Sequence, residues 1–179
     1  MTVLITLLSF LLGDADVERF RATAPTYLTT ESAREHLSTA MAAAVVTDED
    51  PYVFLAIALG ESTYKANVVK VEVSGTLSCG VIQATAPNWS ACNRMRASLW
   101  EGYYAGALLF RSWRTNPRCA GSTACALAGY AGGWRALDFC RANPRSVACW
   151  KAVTNRLNLS DMIRGQRTRD AKKTTRSSS

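Results

Sequence analysis

The stretch from Asp50 to Ser62, "DPYVFLAIALGES", constrains the fold more than any other part of the chain. An acidic cluster followed by Pro51 is a helix start, because the N-terminal N–H groups favour acids and proline needs no donor there. The helix that follows is apolar without interruption from Val53 to Leu59, so it belongs in the core. Yet it runs into a carboxylate. Val53, Ile57 and Glu61 are spaced four apart, and at ~100° per residue Glu61 lies between the directions of Ile57 and Phe54. Its side chain continues the core-facing stripe. An acid so placed either caps a turn or pairs with Lys65 or Lys70, or it is a proton donor whose affinity for the proton is raised by desolvation.

At 179 residues and 48% hydrophobic content the chain reads as one domain with tails. Of the formal net charge of +7, the segment 164–179, "RGQRTRDAKKTTRSSS", holds six basic residues against Asp170. That tail has no apolar periodicity and reads as disordered, suited to solubility or to an anionic cell wall or membrane surface. The body carries about +2 and no basic face, so specific nucleic-acid binding is not expected. Cys79, Cys92, Cys119, Cys125, Cys140 and Cys149 make an even set, which suggests disulfides and an oxidising compartment. Pairing of neighbours is the simplest arrangement, with "CAGSTAC" closing one short loop. At the N-terminus, residues 1–20 hold either an export signal or an uncleaved buried or amphipathic helix. Val3–Leu12 would be the apolar region of such a signal and Gly13-Asp14-Ala15 its cleavage site.

The body, residues 25–160, reads as mostly helical. "TTESAREHLSTAMAAAVV" has Thr30 as N-cap and places Leu37, Met41, Ala44 and Val45 on one side. "VVKVEVSGTLSCGVIQ" alternates and is rich in valine, the mark of a β-hairpin turning near Ser74-Gly75. Further helices are expected over "SLWEGYYAGALLFRSWR", with Leu99, Tyr103, Gly106, Phe110 and Trp113 at helical spacing, and over "TACALAGYAGGW". A last one, over "PRSVACWKAVTNRL", puts Val147, Trp150, Val153 and Leu157 on one face. The fold class is α+β, predominantly helical.

Several chemistries are excluded. The single histidine, His36, sits beside Glu35 with no serine or cysteine motif, which argues against a Ser-His-Asp or Cys-His system and points to a surface or capping role. Histidine-rich zinc sites need more histidines than the chain has, and phosphate-loop and dinucleotide fingerprints are missing. Acid–base chemistry by carboxylates remains, with no cofactor or metal expected.

The residues around Glu61 fall in a recognisable order. Glu61-Ser62 ends a helix, Ser74 opens a turn nine residues before Gln83, Gly80-Val81-Ile82-Gln83 follows, and "AGYAGG" comes later. Over about residues 48–135 this resembles the lytic transglycosylases of the lysozyme-like superfamily, with their E-S, serine turn, G-L-M-Q-like segment and A-Y-N-A-G motif. Tyr130 takes the tyrosine place if the asparagine is deleted, or the asparagine place without a gap. The resemblance implies a lysozyme-like domain with a small hairpin beside the cleft, and peptidoglycan glycan strands as substrate. It also implies Glu61 as the single catalytic acid and base, with Ser74, Ser78, Gln83 and Tyr130 in substrate binding. The work would be done in the periplasm, outside the cell or on a virion. A second catalytic carboxylate would instead make a hydrolysing lysozyme. Glu72 is the nearest candidate in sequence, but alternation with Val71 and Val73 places it toward solvent. Trp89, Trp100, Trp113, Trp134 and Trp150 are candidates for sugar stacking, Trp113 and Trp150 also for the core. A catalytically silent wall-binding or virion structural protein of the same fold is the reading from a different class.

Overall fold

The computed structural model describes residues 2–143 and 147–165. The expectations for the side chains of Val147, Cys149 and Trp150, and for the tail beyond 165, lie outside the described residues. Among the described residues, eight helices and a three-stranded antiparallel sheet follow one another in chain order. α1 spans Thr2–Leu11, α2 Asp14–Thr23, α3 Thr30–Thr47 and α4 Pro51–Ser62. The sheet strands are β1 Val69–Val71, β2 Leu77–Cys79 and β3 Ala84–Ala86. α5 Trp89–Ala97, α6 Leu99–Thr115, α7 Thr123–Ala142 and α8 Val147–Arg164 follow.

The uninterrupted apolar run of α4 has the consequence expected of it. Every residue from Val53 to Ala58 is buried, because a helix without a polar face must be surrounded. α3, α6 and α8 surround it. Asp50 caps its start by accepting from the Tyr52 N–H at 3.0 Å, with Pro51 in the first turn. Its end is unusual. Thr63 and Tyr64 both adopt the left-handed conformation, φ +53° and +67°, which costs a non-glycine residue about 1 kcal/mol or more. The surroundings hold them there. Tyr64 is buried with its hydroxyl on the Leu55 carbonyl at 3.0 Å, and Tyr27 donates to the Thr63 carbonyl.

The hairpin forms where the valine-rich alternation placed it, turning through Gly75 at φ +82°. A third strand, β3, extends it and was not foreseen. Cross-strand register sets Lys70 opposite Ser78 and Ser78 opposite Thr85, so one face of the sheet is polar. Leu77, Cys79, Ala84 and Ala86 turn toward the core. The short helices α2 and α5 were also unforeseen. α5 starts at an Asn88 cap that accepts from the Ala91 N–H.

Three placements differ from expectation. The N-cap of α3 is Thr29, one residue earlier than Thr30, and Val45 is exposed while Leu37 and Ala44 are buried. His36 is not a surface residue. It is buried, with Nδ1 3.0 Å from the Tyr103 hydroxyl and its ring edge-on to Tyr64. The helix through "TACALAGYAGGW" continues to Ala142 beyond a break at Gly133, φ +64° and ψ −163°.

Disulfides join Cys79 to Cys92 and Cys119 to Cys125, neighbours in sequence, and Cys140 is disulfide-bonded as well. Such bonds suggest an oxidising compartment. Among the described residues no helix is long and apolar enough to cross a membrane. α1 packs along α3, where Arg34 donates to the Ser9 and Leu12 carbonyls. Replacing Cys119 and Cys125 by serine is expected to cost about 2 kcal/mol, since the bond closes a short loop in the unfolded chain. A lowered midpoint of urea unfolding, with an unchanged slope, is the result to look for.

Candidate active site

Glu61 is delivered by the last turn of α4, with its side chain 26% exposed. Its neighbour Ser62 explains why a serine follows. The hydroxyl is buried between the Ala58 carbonyl of its own helix and the Val81 carbonyl. This fastens the end of α4 to the segment 80–83. That segment is itself pressed into place by two close approaches. Gly80, at φ +75°, has its absent Cβ only 2.7 Å from the Met95 carbonyl oxygen. Gly106 of α6 lies against Ile82, where a Cβ would stand 2.2 Å from Cγ2.

A cleft of about 450 Å³ opens in front of Glu61. The polar face of the sheet forms one wall, and Tyr130 with the glycines of the α7 break forms the other. All five residues expected at the site border it: Glu61, Ser74, Ser78, Gln83 and Tyr130. Their bonds are specific. Ser74 is exposed at the mouth and shares a 2.9 Å hydrogen bond with Thr76. Ser78 donates to Glu72 Oε1 at 2.9 Å. Gln83, itself left-handed at φ +51°, donates from Nε2 to the Gly80 and Val68 carbonyls, which leaves Oε1 as its acceptor. Tyr130 donates to the Ile82 carbonyl at 2.8 Å. None of the four bonds to Glu61.

Arg156 does. This α8 residue, which the sequence reasoning missed, donates from Nη2 to Glu61 Oε1, and its side chain is 12% exposed. The signal was there: Val153, Ser160 and Ile163 are buried, and Arg156 falls on the same stripe. A base in the core-facing stripe of one helix answers the acid in that of another.

Glu72 also differs from expectation. The alternation was read with the right parity but the wrong face: Val71 and Val73 are exposed, while Glu72 borders the cleft. Its carboxylate accepts from Ser78 and pairs with Lys70 Nζ at 2.9 Å, and these hydrogen bonds hold it below the usual carboxylate range. Glu61 is pushed the other way. Burial raises its affinity for the proton, the Glu72 charge adds to that, and Arg156 and Lys70 oppose it. The Tyr130 hydroxyl is held far above its ordinary value, first by burial and then by the Glu61 carboxylate. Two carboxyls with opposed tendencies therefore share one cleft, the pattern that separates an acid from an anion in acid–base sites.

Among the described residues no tryptophan borders this cleft. Trp134 is exposed, tilted against Trp113 at 4.5 Å, and Trp100 stacks on Tyr104 at 5.0 Å. Among the described residues no group of three His, Cys, Asp or Glu is placed to hold a metal. A larger groove, about 850 Å³, lies between α1 and α3, and its Arg34 and Asp14 pair with each other. No family model matches this chain, and no curated protein or solved structure matches it either.

Proposed function

We propose that this protein cleaves the glycan strands of peptidoglycan as a lytic transglycosylase of the lysozyme-like superfamily, with Glu61 as both acid and base. The observation that carries this is the position of Glu61. An acid at the end of a helix buried from Val53 to Ala58 shares one polar cleft with Ser74, Ser78, Gln83 and Tyr130, which come from separate stretches of chain. The cleft volume suits a chain of a few sugars better than a macromolecular surface.

The chemistry follows from the opposed influences on Glu61. Burial favours its protonated form, which gives the proton to the bridging oxygen after N-acetylmuramic acid as the C1–O bond breaks. Positive charge develops at C1, and the substrate's own N-acetyl carbonyl oxygen assists from the opposite face. The Glu61 carboxylate, favoured by Arg156 and Lys70, then takes the proton of the muramic primary hydroxyl. That oxygen closes onto C1 and leaves an anhydromuramic end, with no water consumed. Gln83 Oε1 and the Ser74 and Ser78 hydroxyls are available to sugar hydroxyl and amide groups.

One observation favours a second reading. Glu72 lies in the same cleft and stays ionised, as the second carboxylate of a hydrolysing lysozyme would. Digestion of purified peptidoglycan by the oxidised protein, followed by mass spectrometry of the muropeptides, separates the two. Anhydromuramic ends that disappear with Glu61→Gln and persist with Glu72→Gln support the transglycosylase. Reducing ends lost in both variants support the lysozyme. Intact strands after exposure to a folded, disulfide-bonded protein would refute both and leave a silent wall-binding protein.

A further inference from the structure

Arg156 is placed at a cost. Its guanidinium lies flat against the backbone at Gly60, whose Cβ position is 3.4 Å from Nε and Nη2. Nη2 reaches Glu61, but Nε and Nη1 are buried and have no partner among the described residues. Leaving a buried donor unpaired is costly, and more so when the group is charged. A buried ion pair rarely repays its own desolvation, and apolar replacements of such pairs are often neutral or stabilising. Stability therefore does not account for a guanidinium in this position.

Its geometry offers another account. A carboxyl oxygen that accepts from a guanidinium has its lone pair engaged and is the poorer of the two for holding a proton. Nη2 engages Oε1. We propose that Arg156 is a positioning residue for Glu61: it clamps Oε1, so that Oε2 alone carries the proton and delivers it into the cleft. The positive charge has a second effect. Four groups face Glu61 from the elements around it: Arg156 of α8, Lys70 of β1, Glu72 beyond β1 and Tyr130 of α7. Arg156 is the largest influence that returns Glu61 to the carboxylate, against burial and Glu72. A group that must first give and then take a proton needs both forms within reach at one pH. The part played in catalysis rests on the transglycosylase reading; the clamp does not.

The test uses the full oxidised chain with glutamate labelled at 13Cδ, titrated by NMR, and with Glu61→Gln to assign the resonance. In Arg156→Met the Glu61 midpoint is expected to rise by about one unit or more, the usual effect of losing an opposite charge in contact. The high-pH limb of kcat/KM, where Glu61 loses its proton, is expected to rise with it. Arg156→Lys keeps the charge but not the planar fork, so the midpoint is expected to stay near wild type while kcat falls about tenfold. Arg156→Gln provides the neutral variant if Arg156→Met does not fold. An unmoved midpoint in a folded neutral variant overturns the clamp, and so does full activity in Arg156→Lys. A shifted midpoint in a protein that leaves peptidoglycan intact keeps the clamp and removes the proposed function instead.

Discussion

Glu61→Gln is expected to lower the rate of glycan-strand cleavage by about 10²–10⁴-fold, the range attributed to a positioned general acid–base group. The substitution keeps shape and keeps an acceptor for Arg156, but the amide has no proton to give and cannot take one back. Because one residue serves both steps in the proposed mechanism, no second acid stands ready to replace it. KM is expected to change little, since in the proposed mechanism the sugar contacts come from Ser78, Gln83 and the rest of the cleft. The measurement is the initial rate of anhydromuropeptide release, with near-ultraviolet circular dichroism to show that the variant is folded. A folded Glu61→Gln protein that retains a tenth or more of the wild-type rate removes Glu61 from the chemistry.

The second large effect concerns acid. His36 is held neutral in the fold, pushed down to about 4 by burial, against about 6.5 in the unfolded chain. Between those values the unfolded state binds a proton that the folded state refuses, so stability rises with pH across this window. It is fully present above about pH 6.5 and lost as pH falls toward 4. The difference amounts to about 3 kcal/mol. Glu61 and Glu49, both raised by burial, work in the opposite direction, because they bind protons more readily when folded. Comparing urea unfolding of the wild type with His36→Leu at pH 7 and pH 4 cancels those contributions. The variant forfeits the hydrogen bond to Tyr103 at both pH values alike, so the signal is its smaller loss between them. Equal losses in the two proteins would mean that His36 already accepts a proton in the fold.

How far the sequence spoke for the structure depended on the range of each interaction. α4 was legible because its start, its apolar run and its acid all lie within thirteen residues and agree with one another. The hairpin was legible through Gly75 and the valine alternation. His36 was not. Its neighbours Glu35 and Leu37 are silent about Tyr64 and Tyr103, the distant rings that enclose it. Glu72 was misplaced because alternation gives parity but not face. Near the tip of a three-stranded sheet it is the valines that project into solvent. Arg156 belongs to the same class of long-range fact, since only the packing of α8 on α4 brings it to Glu61.

That last distance has a bearing on when the site comes into being. Arg156 lies 95 residues after Glu61 in the chain. During synthesis the acid, its serine tether and both walls of the cleft emerge well before the cation that answers it. Until α8 has left the ribosome and docked, Glu61 lacks its Arg156 partner, and the face of α4 that α8 covers stays open to water. A nascent or prematurely ended chain thus holds the acid without the guanidinium that pairs with it. The Glu61–Arg156 pair exists only in a chain that has been made through α8.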